Sequence, residues 1–600
     1  MRILEFRKFA RSVTHTGNLA RESERTLASR ARIRTMKLSP AAFALLLLTG
    51  CHTASKPRAP ADWDKYVSDY LDVYFAVHPD IAVSAGRHEF DGKLPDFSHA
   101  AIDAEIARLH AERARAAAFD DRSLNQQQRF ERDYLLAAID SDLFWMETAQ
   151  WPWRNPYYYS NAVDPSVYLT RPYAPLEQRM RAFIAYEQNL PFALRAIQAN
   201  LQTPMPRTYV DQGRLTFGGL AQYFEHDVPA IFASVRDVQL QTDFTASNTQ
   251  AIRVLKSIDA WFASQRATAN DRFAIGAANF QKMLHATERV DIPLDRLEAI
   301  GRQDLDRNLA ALKAACMQLA PGKTLAACVA KEAADKPQGK PVEAAREQLK
   351  ELRAFVADQN LMSIPGTERA LVDEAPPYMR WNFAYINIPG PYEKGLPSVY
   401  YIAPPDPKWP AAEQKAYLPG KATLLFTSAH EVMPGHFLQF LHANRSPSKI
   451  GRIFTGYAYV EGWAHYAEEL VWDAGFGAGD PEIHVGQLME ALLRDVRFLS
   501  AIGLHTGTMT VAESEKMFRE SAFSDAGNAS QQAARGTFDP AYLNYTMGKL
   551  MIMKLRDDWT ATRGGRKAWH DFHDQFLNFG GPPIPLVRAA MLGPSAGPPL

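Results

Sequence analysis

The sequence predicts a mainly α chain, a multi-helix body with a small β-sheet beside a cleft. Two features carry this reading. Apolar residues recur at helical spacing through long stretches of the chain, and one stretch, 380–403, breaks that period with β-branched and aromatic residues among Pro and Gly. A third feature bounds the answer: 600 residues at 46% hydrophobic content bury a large core without any repeat period that would indicate a solenoid.

In chain order, the periodic stretches are Trp63–Val77, Ile102–Ala118, Gln126–Met146, Leu176–Asn200, Thr249–Arg266, Leu294–Leu319 and Val342–Asp358. Short strands follow at Trp381–Ile388 and Ser398–Ile402, placed beside the helix that carries the chemical motif. Helices then resume over Lys421–His442, Gly456–Val471, His484–Thr506, Val511–Ser521, Tyr542–Ala561 and Arg566–Leu577. Residues 62–580 are read as one continuous body of two lobes about a cleft, and 581–600, rich in Pro and Gly, as a flexible surface tail.

Lys plus Arg and Asp plus Glu are both 67, so nothing points to a polyanionic partner, and nucleic acid is not expected. The N-terminal region is more specific. From Met36, the preferred start, Lys37 precedes an apolar run Ala41–Leu48 and then Leu48-Thr49-Gly50-Cys51, a signal-peptide layout too short for a permanent membrane span. Its last four residues resemble the bacterial lipobox, with Cys51 as the lipid-modified first residue. Residues 1–50 are then removed and 51–61 form a lipidated tether. The protein is expected in the cell envelope, facing the periplasm, with the outer membrane favoured because His52 rather than Asp follows Cys51. The other two cysteines, Cys316 and Cys328, are read as a disulfide closing a loop around Pro321-Gly322, the alternative being two free buried thiols.

The chemistry concentrates at His430-Glu431-Val432-Met433-Pro434-Gly435-His436. The H-E-x-x-H motif of zinc peptidases sets two imidazoles one helical turn apart with the Glu beside the activated water. Here the second His comes two positions late, and on a regular helix it would point about 120° away. Pro434 lacks the N–H that would bond the His430 carbonyl, and Gly435 tolerates unusual backbone angles. The helix is therefore expected to deform at Met433–Gly435 so that His430 and His436 converge. Glu461 follows His436 by 25 residues, enough for a return helix, and is the expected third ligand; the alternative is a buried carboxylate paired with Arg. Gly462 and Ala464 would let that helix approach the motif closely. His465 shares the face of Glu461, either orienting a ligand or touching substrate.

Three segments, HEVMPGHFLQ, YVEGWAHYAEEL and RGTFDPAYLNYTMGKL, resemble the bacterial domain of unknown function 885 family, with similarity from about Trp63 to Leu577. The resemblance implies a zincin-like peptidase body, mainly α about a cleft and similar to helical oligopeptidases and carboxypeptidases. It implies zinc held by His430, His436 and Glu461, with Glu431 acting on water. Tyr545, Tyr542 and His505 are candidates to stabilise the oxyanion, Tyr545 and His505 favoured, the alternative for each being a packed core side chain, and Arg535 either receives a substrate carboxylate or pairs internally. Gln532 stands where the family pattern often has an acidic residue, which weakens any salt bridge to Arg535. The expected activity is zinc-dependent hydrolysis of short peptides by a metallopeptidase or a carboxypeptidase, the latter acting from a free C-terminus. A non-peptide amide or ester substrate, or peptide binding without turnover, are the alternatives, and the oligomeric state is open.

Overall fold

The computed structural model describes residues 62–375, 380, 383–405, 407 and 409–600. Cys51, the signal region and Trp381 lie outside them. The body is helical throughout, apart from three short strands. Helices Trp63–Val77, Leu176–Asn200, Leu294–Leu319 and Val511–Ser521 match the periodic stretches at both ends. Their starts have physical causes: the Asp62 side chain accepts from the backbone N–H of Asp64 and Lys65, and Thr510 and Glu513 form a capping box. The helix read as starting at Thr249 begins earlier, at Val238, because Asp237 caps it by accepting from Leu240 N.

The buried apolar side chains gather in separate cores. One, from Val83 to Phe262, centres on Phe183, Phe224 and Phe262. The largest runs from Phe144 to Met591 and includes both motif helices. A third, smaller core is built on the first helices, Trp63 to Met146. The helix Pro481–Thr506 is buried on every face from Ala491 to His505, as befits the centre of a helical body.

The strands are β1 (Ala370–Glu374), β2 (Ala384–Asn387) and β3 (Ser398–Ile402), in the order β1-β3-β2. β1 runs parallel to β3, and β2 antiparallel to it with Ala384 opposite Ile402. Ser398, Tyr400 and Ile402 point inward while Val399 and Tyr401 are less buried, the period of two expected of a half-buried strand. The sheet lies beside the motif helix: the Tyr400 hydroxyl is 3.4 Å from Ser428 Oγ.

Two sequence expectations need correction. The segment 581–600 is not simply a tail: it contains a helix, Ile584–Leu592, whose Ile584 and Val587 are fully buried and whose Arg588 pairs with Asp558 at 2.5 Å. Pro583 ahead of its first turn and the apolar Ile584, Val587 and Met591 spacing were the available signals. Lys421–His442 is not one helix but two, Lys421–Glu431 and His436–Ala443, separated at the insertion. Cys316 and Cys328 form the expected disulfide, with Cα atoms 5.7 Å apart, joining the end of Leu294–Leu319 to Leu325–Ala334.

Candidate metal centre

The break in the motif helix is built from the inserted residues. Val432 leaves helical geometry, the Met433–Pro434 peptide is cis, and Gly435 opens the second helix with φ −74° and ψ −131°. A Cβ on Gly435 would sit 1.8 Å from the His430 carbonyl oxygen, so only glycine fits this approach. The turn is closed by bonds that bypass the missing Pro434 N–H: Gly435 N donates to Ala429 O at 2.9 Å and Leu438 N to Val432 O at 3.3 Å. Trp463 Nε1 donates to Pro434 O at 2.9 Å, tying the turn to the Glu461 helix, Tyr457–Asp473.

The outcome is convergence. The imidazoles of His430 and His436 stand with centroids 4.8 Å apart and planes at 86°. Glu461 Oε2 lies 3.4 Å from His430 Nε2 and 3.6 Å from His436 Nε2, and one donor atom from each of the three lies within 4.8 Å of the others. Bonds near 2.1 Å in a tetrahedral site place donors about 3.4 Å from one another, so both edges to Glu461 have the dimensions of a metal site. Glu461 Oε2 is buried and makes no hydrogen bond to a protein group among the described residues although two ring nitrogens face it, which is the arrangement an interposed cation would satisfy. All three side chains are buried, and the imidazole–imidazole–carboxylate set suits zinc.

Electrostatics keep the carboxylate ionised. Burial opposes it, but the His436 and His430 rings outweigh burial and hold Glu461 well below the usual carboxylate range. Burial likewise pushes His430 down, while Glu461 and Glu468 hold it up, at about 10.

Glu468 is the residue that motif reading missed. His430 Nδ1 donates to Glu468 Oε1 at 2.6 Å, and the same carboxylate accepts from His465 Nδ1 at 3.2 Å and faces Arg494 Nη2 at 3.4 Å. This fixes the ring so that Nε2 points toward Glu461. The signal was present: Glu468 stands seven residues after Glu461, two turns along the same helix face.

The close approach expected of Gly462 exists, but to a different helix. A Cβ there would lie 2.5 Å from Gly548 Cα, so at Gly462 the Glu461 helix crosses Asn544–Thr560. This crossing brings Tyr545 to the site, its ring 6.3 Å from that of His430 and 20° from parallel. Arg494, Arg497 and Arg535 surround the Tyr545 ring at 5.9, 4.9 and 6.0 Å from its centroid.

A cleft of about 200 Å³ opens onto the site, lined by His430, Glu431, His436, Glu461 and Tyr545. The lining also includes Asp164 and Arg171 from the N-terminal half and Tyr385 and Asn387 of β2. The remaining candidates are not brought to it. His505 is fully buried, with Nε2 donating to Gly536 O at 2.7 Å and Nδ1 facing Ile275 N at 3.4 Å; burial pushes its imidazole down to about 4. Tyr542 is buried behind Gly536, whose absent Cβ would lie 2.3 Å from its hydroxyl. His465 is enclosed, spends Nδ1 on Glu468, and is held by burial at about 4, so of its two expected roles the orienting one fits the geometry. Arg535 has the internal partner: Nε donates to Asp539 Oδ2 at 3.1 Å and Nη2 to the Tyr457 hydroxyl at 3.0 Å.

A family of bacterial proteins of unknown function, DUF885, matches residues 79–591. The chain belongs to the DUF885 family. No curated protein matches this DUF885 chain. Among solved structures, a protein from Shewanella oneidensis described as a lipoprotein of unknown function is similar at TM-score 0.74 and 21% identity, covering 89% of this chain and all of its own. Another described as a lipoprotein, from Colwellia psychrerythraea, matches at TM-score 0.74 and 17% identity over 88% of this chain and 98% of its own. At these identities the likeness shows a shared fold alone. No helix among the described residues is long and apolar enough to cross a membrane.

Proposed function

We propose that this DUF885 protein is a zinc-dependent metallopeptidase of the bacterial cell envelope that hydrolyses short peptides. The observation that carries the reading is the convergence of His430, His436 and Glu461 across a broken helix, beside Glu431 in the same cleft. Zinc held by these three side chains would supply Lewis acidity and bring the ionisation of water toward neutral pH.

The protein's own groups then have defined tasks. Glu431 accepts the proton of the attacking water and delivers it to the leaving amine. The Tyr545 hydroxyl, on a ring 6.3 Å from that of His430, donates to the developing oxyanion. Glu468, anchored by Arg494, keeps the His430 ring aimed at the centre. The envelope location is supported by the signal layout from Lys37 to Cys51 and by the descriptions of both structural relatives as lipoproteins.

A digest of a mixed short-peptide library by the wild type and by Glu431→Gln tests the reading. The expected outcome is cleavage by the wild type and a loss of about 10²–10⁴-fold in the variant. Equal cleavage by both would remove Glu431 from the mechanism, and no cleavage by either would remove the activity.

A further inference from the structure

The carboxylate-binding role considered for Arg535 passes to another residue. The cleft is lined by two guanidinium groups, Arg171 and Arg452, and they stand in opposite states. Arg171 is buried and committed: Nη1 contacts Glu393 Oε2 at 2.7 Å and Ser84 O at 3.0 Å, and Nη2 contacts Asn387 Oδ1 and Ile388 O, each at 3.3 Å. Arg452 belongs to the short helix Lys449–Ile453, which follows the motif, and is only partly buried. Its Nε donates to Ser446 O at 2.6 Å, which fixes the plane of the head group. Among the described residues no carboxylate pairs with it, and neither Nη atom donates to a protein acceptor.

A guanidinium that lines a cleft, held by Nε and with neither Nη spent on a protein acceptor, is a planar fork preset for a carboxylate. Asp164, Glu431 and Glu461 supply the acidic groups of the same cleft, so away from the metal position Arg452 is the favourable place for a negatively charged substrate group. A cleft of about 200 Å³ is smaller than a drug-sized ligand site, which suits a short peptide whose terminus lies near the reacting bond. The geometry points to Arg452 as the specificity-determining residue that binds a peptide carboxylate. This rests on the reading of the cleft as a peptide-hydrolysing site, and it makes the favoured substrates short peptides with a free C-terminus or an acidic side chain.

The test separates binding from turnover. In a Glu431→Gln background, calorimetric titration compares three tripeptides: one with a free C-terminus, its C-terminal amide, and an amide carrying Asp in place of Asn. Loss of a charge-assisted, bidentate bond predicts at least about tenfold weaker binding of the plain amide than of the free acid. Arg452→Gln should collapse that gap to under about twofold, and Arg452→Lys, which keeps charge without the fork, should leave part of it. Recovery of affinity by the Asp amide, dependent on Arg452, assigns the carboxylate to a side chain; recovery by the free acid alone assigns it to the C-terminus. Equal binding of acid and amides to the parent, or a gap that survives Arg452→Gln with an unchanged melting temperature, overturns the proposal. An Arg452-dependent gap in a protein that cleaves nothing would retain the carboxylate site and reject only the hydrolase reading.

Discussion

At the residue scale, the site depends on atoms that aim other atoms. His430 is oriented through Nδ1 by Glu468, a carboxylate held ionised by Arg494 and His465 against the effect of burial. Glu468→Gln keeps the shape and removes the charge, and is expected to weaken zinc affinity about 10–100-fold in chelator competition. Unchanged affinity would show that the bond is incidental. Tyr545→Phe removes one hydroxyl and should lower kcat about 10²–10³-fold with little change in KM, measured on any peptide the wild type cleaves. The convergence of His430 and His436 is legible because their types and order match the zinc-peptidase motif with an insertion. His505, Tyr542 and Arg535 rest on side-chain type and the family resemblance, and periodicity does not reveal which helix face meets the cleft. Arg452 carried no signal, since its importance comes from the carboxylate that other arginines have and it lacks.

At the element scale, the decisive feature is a helix that ends at Glu431 and restarts at His436. Gly435→Ala would force a Cβ against the His430 carbonyl, and is expected to lower stability by about 1–3 kcal/mol or more and to separate the two imidazoles. Denaturant unfolding and zinc content check both halves of that statement; normal zinc binding by this variant would contradict the turn's role. The Cys316–Cys328 bridge closes a span of 12 residues, and Cys328→Ser should reduce stability by about 2–4 kcal/mol while sparing the distant centre. Most helices were legible from apolar spacing, and the break at Pro434-Gly435 from residue chemistry. The helix partner of Gly462 was not, because small residues announce a close approach without naming the neighbour. The helix Ile584–Leu592 was masked by the Pro and Gly around it.

At the scale of the whole molecule, buried carboxylates set the response to pH in two directions. Burial pushes Glu187 and Glu288 up to about 8, while Lys549 and Arg307 hold Glu469 below the usual range although burial opposes them. Between about pH 4.5 and 8 the unfolded chain has lost the Glu187 and Glu288 protons and the folded chain keeps them. Stability therefore falls with rising pH by up to about 1.4 kcal/mol per unit for each group. The Glu469 contribution is present above its unfolded value near 4.5 and is lost as pH drops below it. Melting temperature is thus expected to decline from about pH 6.5 to 8, above the range in which the buried imidazoles of His465 and His505, held at about 4, act in the opposite direction, and the decline to flatten in Glu187→Gln and Glu288→Gln; a flat wild-type profile over that range would contradict the assignment.

The two halves of the chain share one cleft, and the account of what that cleft does rests on the metal. Elemental analysis of the gently purified protein, beside His436→Ala and Glu431→Gln, tests it most directly. The account predicts about one zinc per chain in the wild type and in Glu431→Gln, and its loss in His436→Ala. A wild type without stoichiometric metal, or zinc retained equally by His436→Ala, would contradict it.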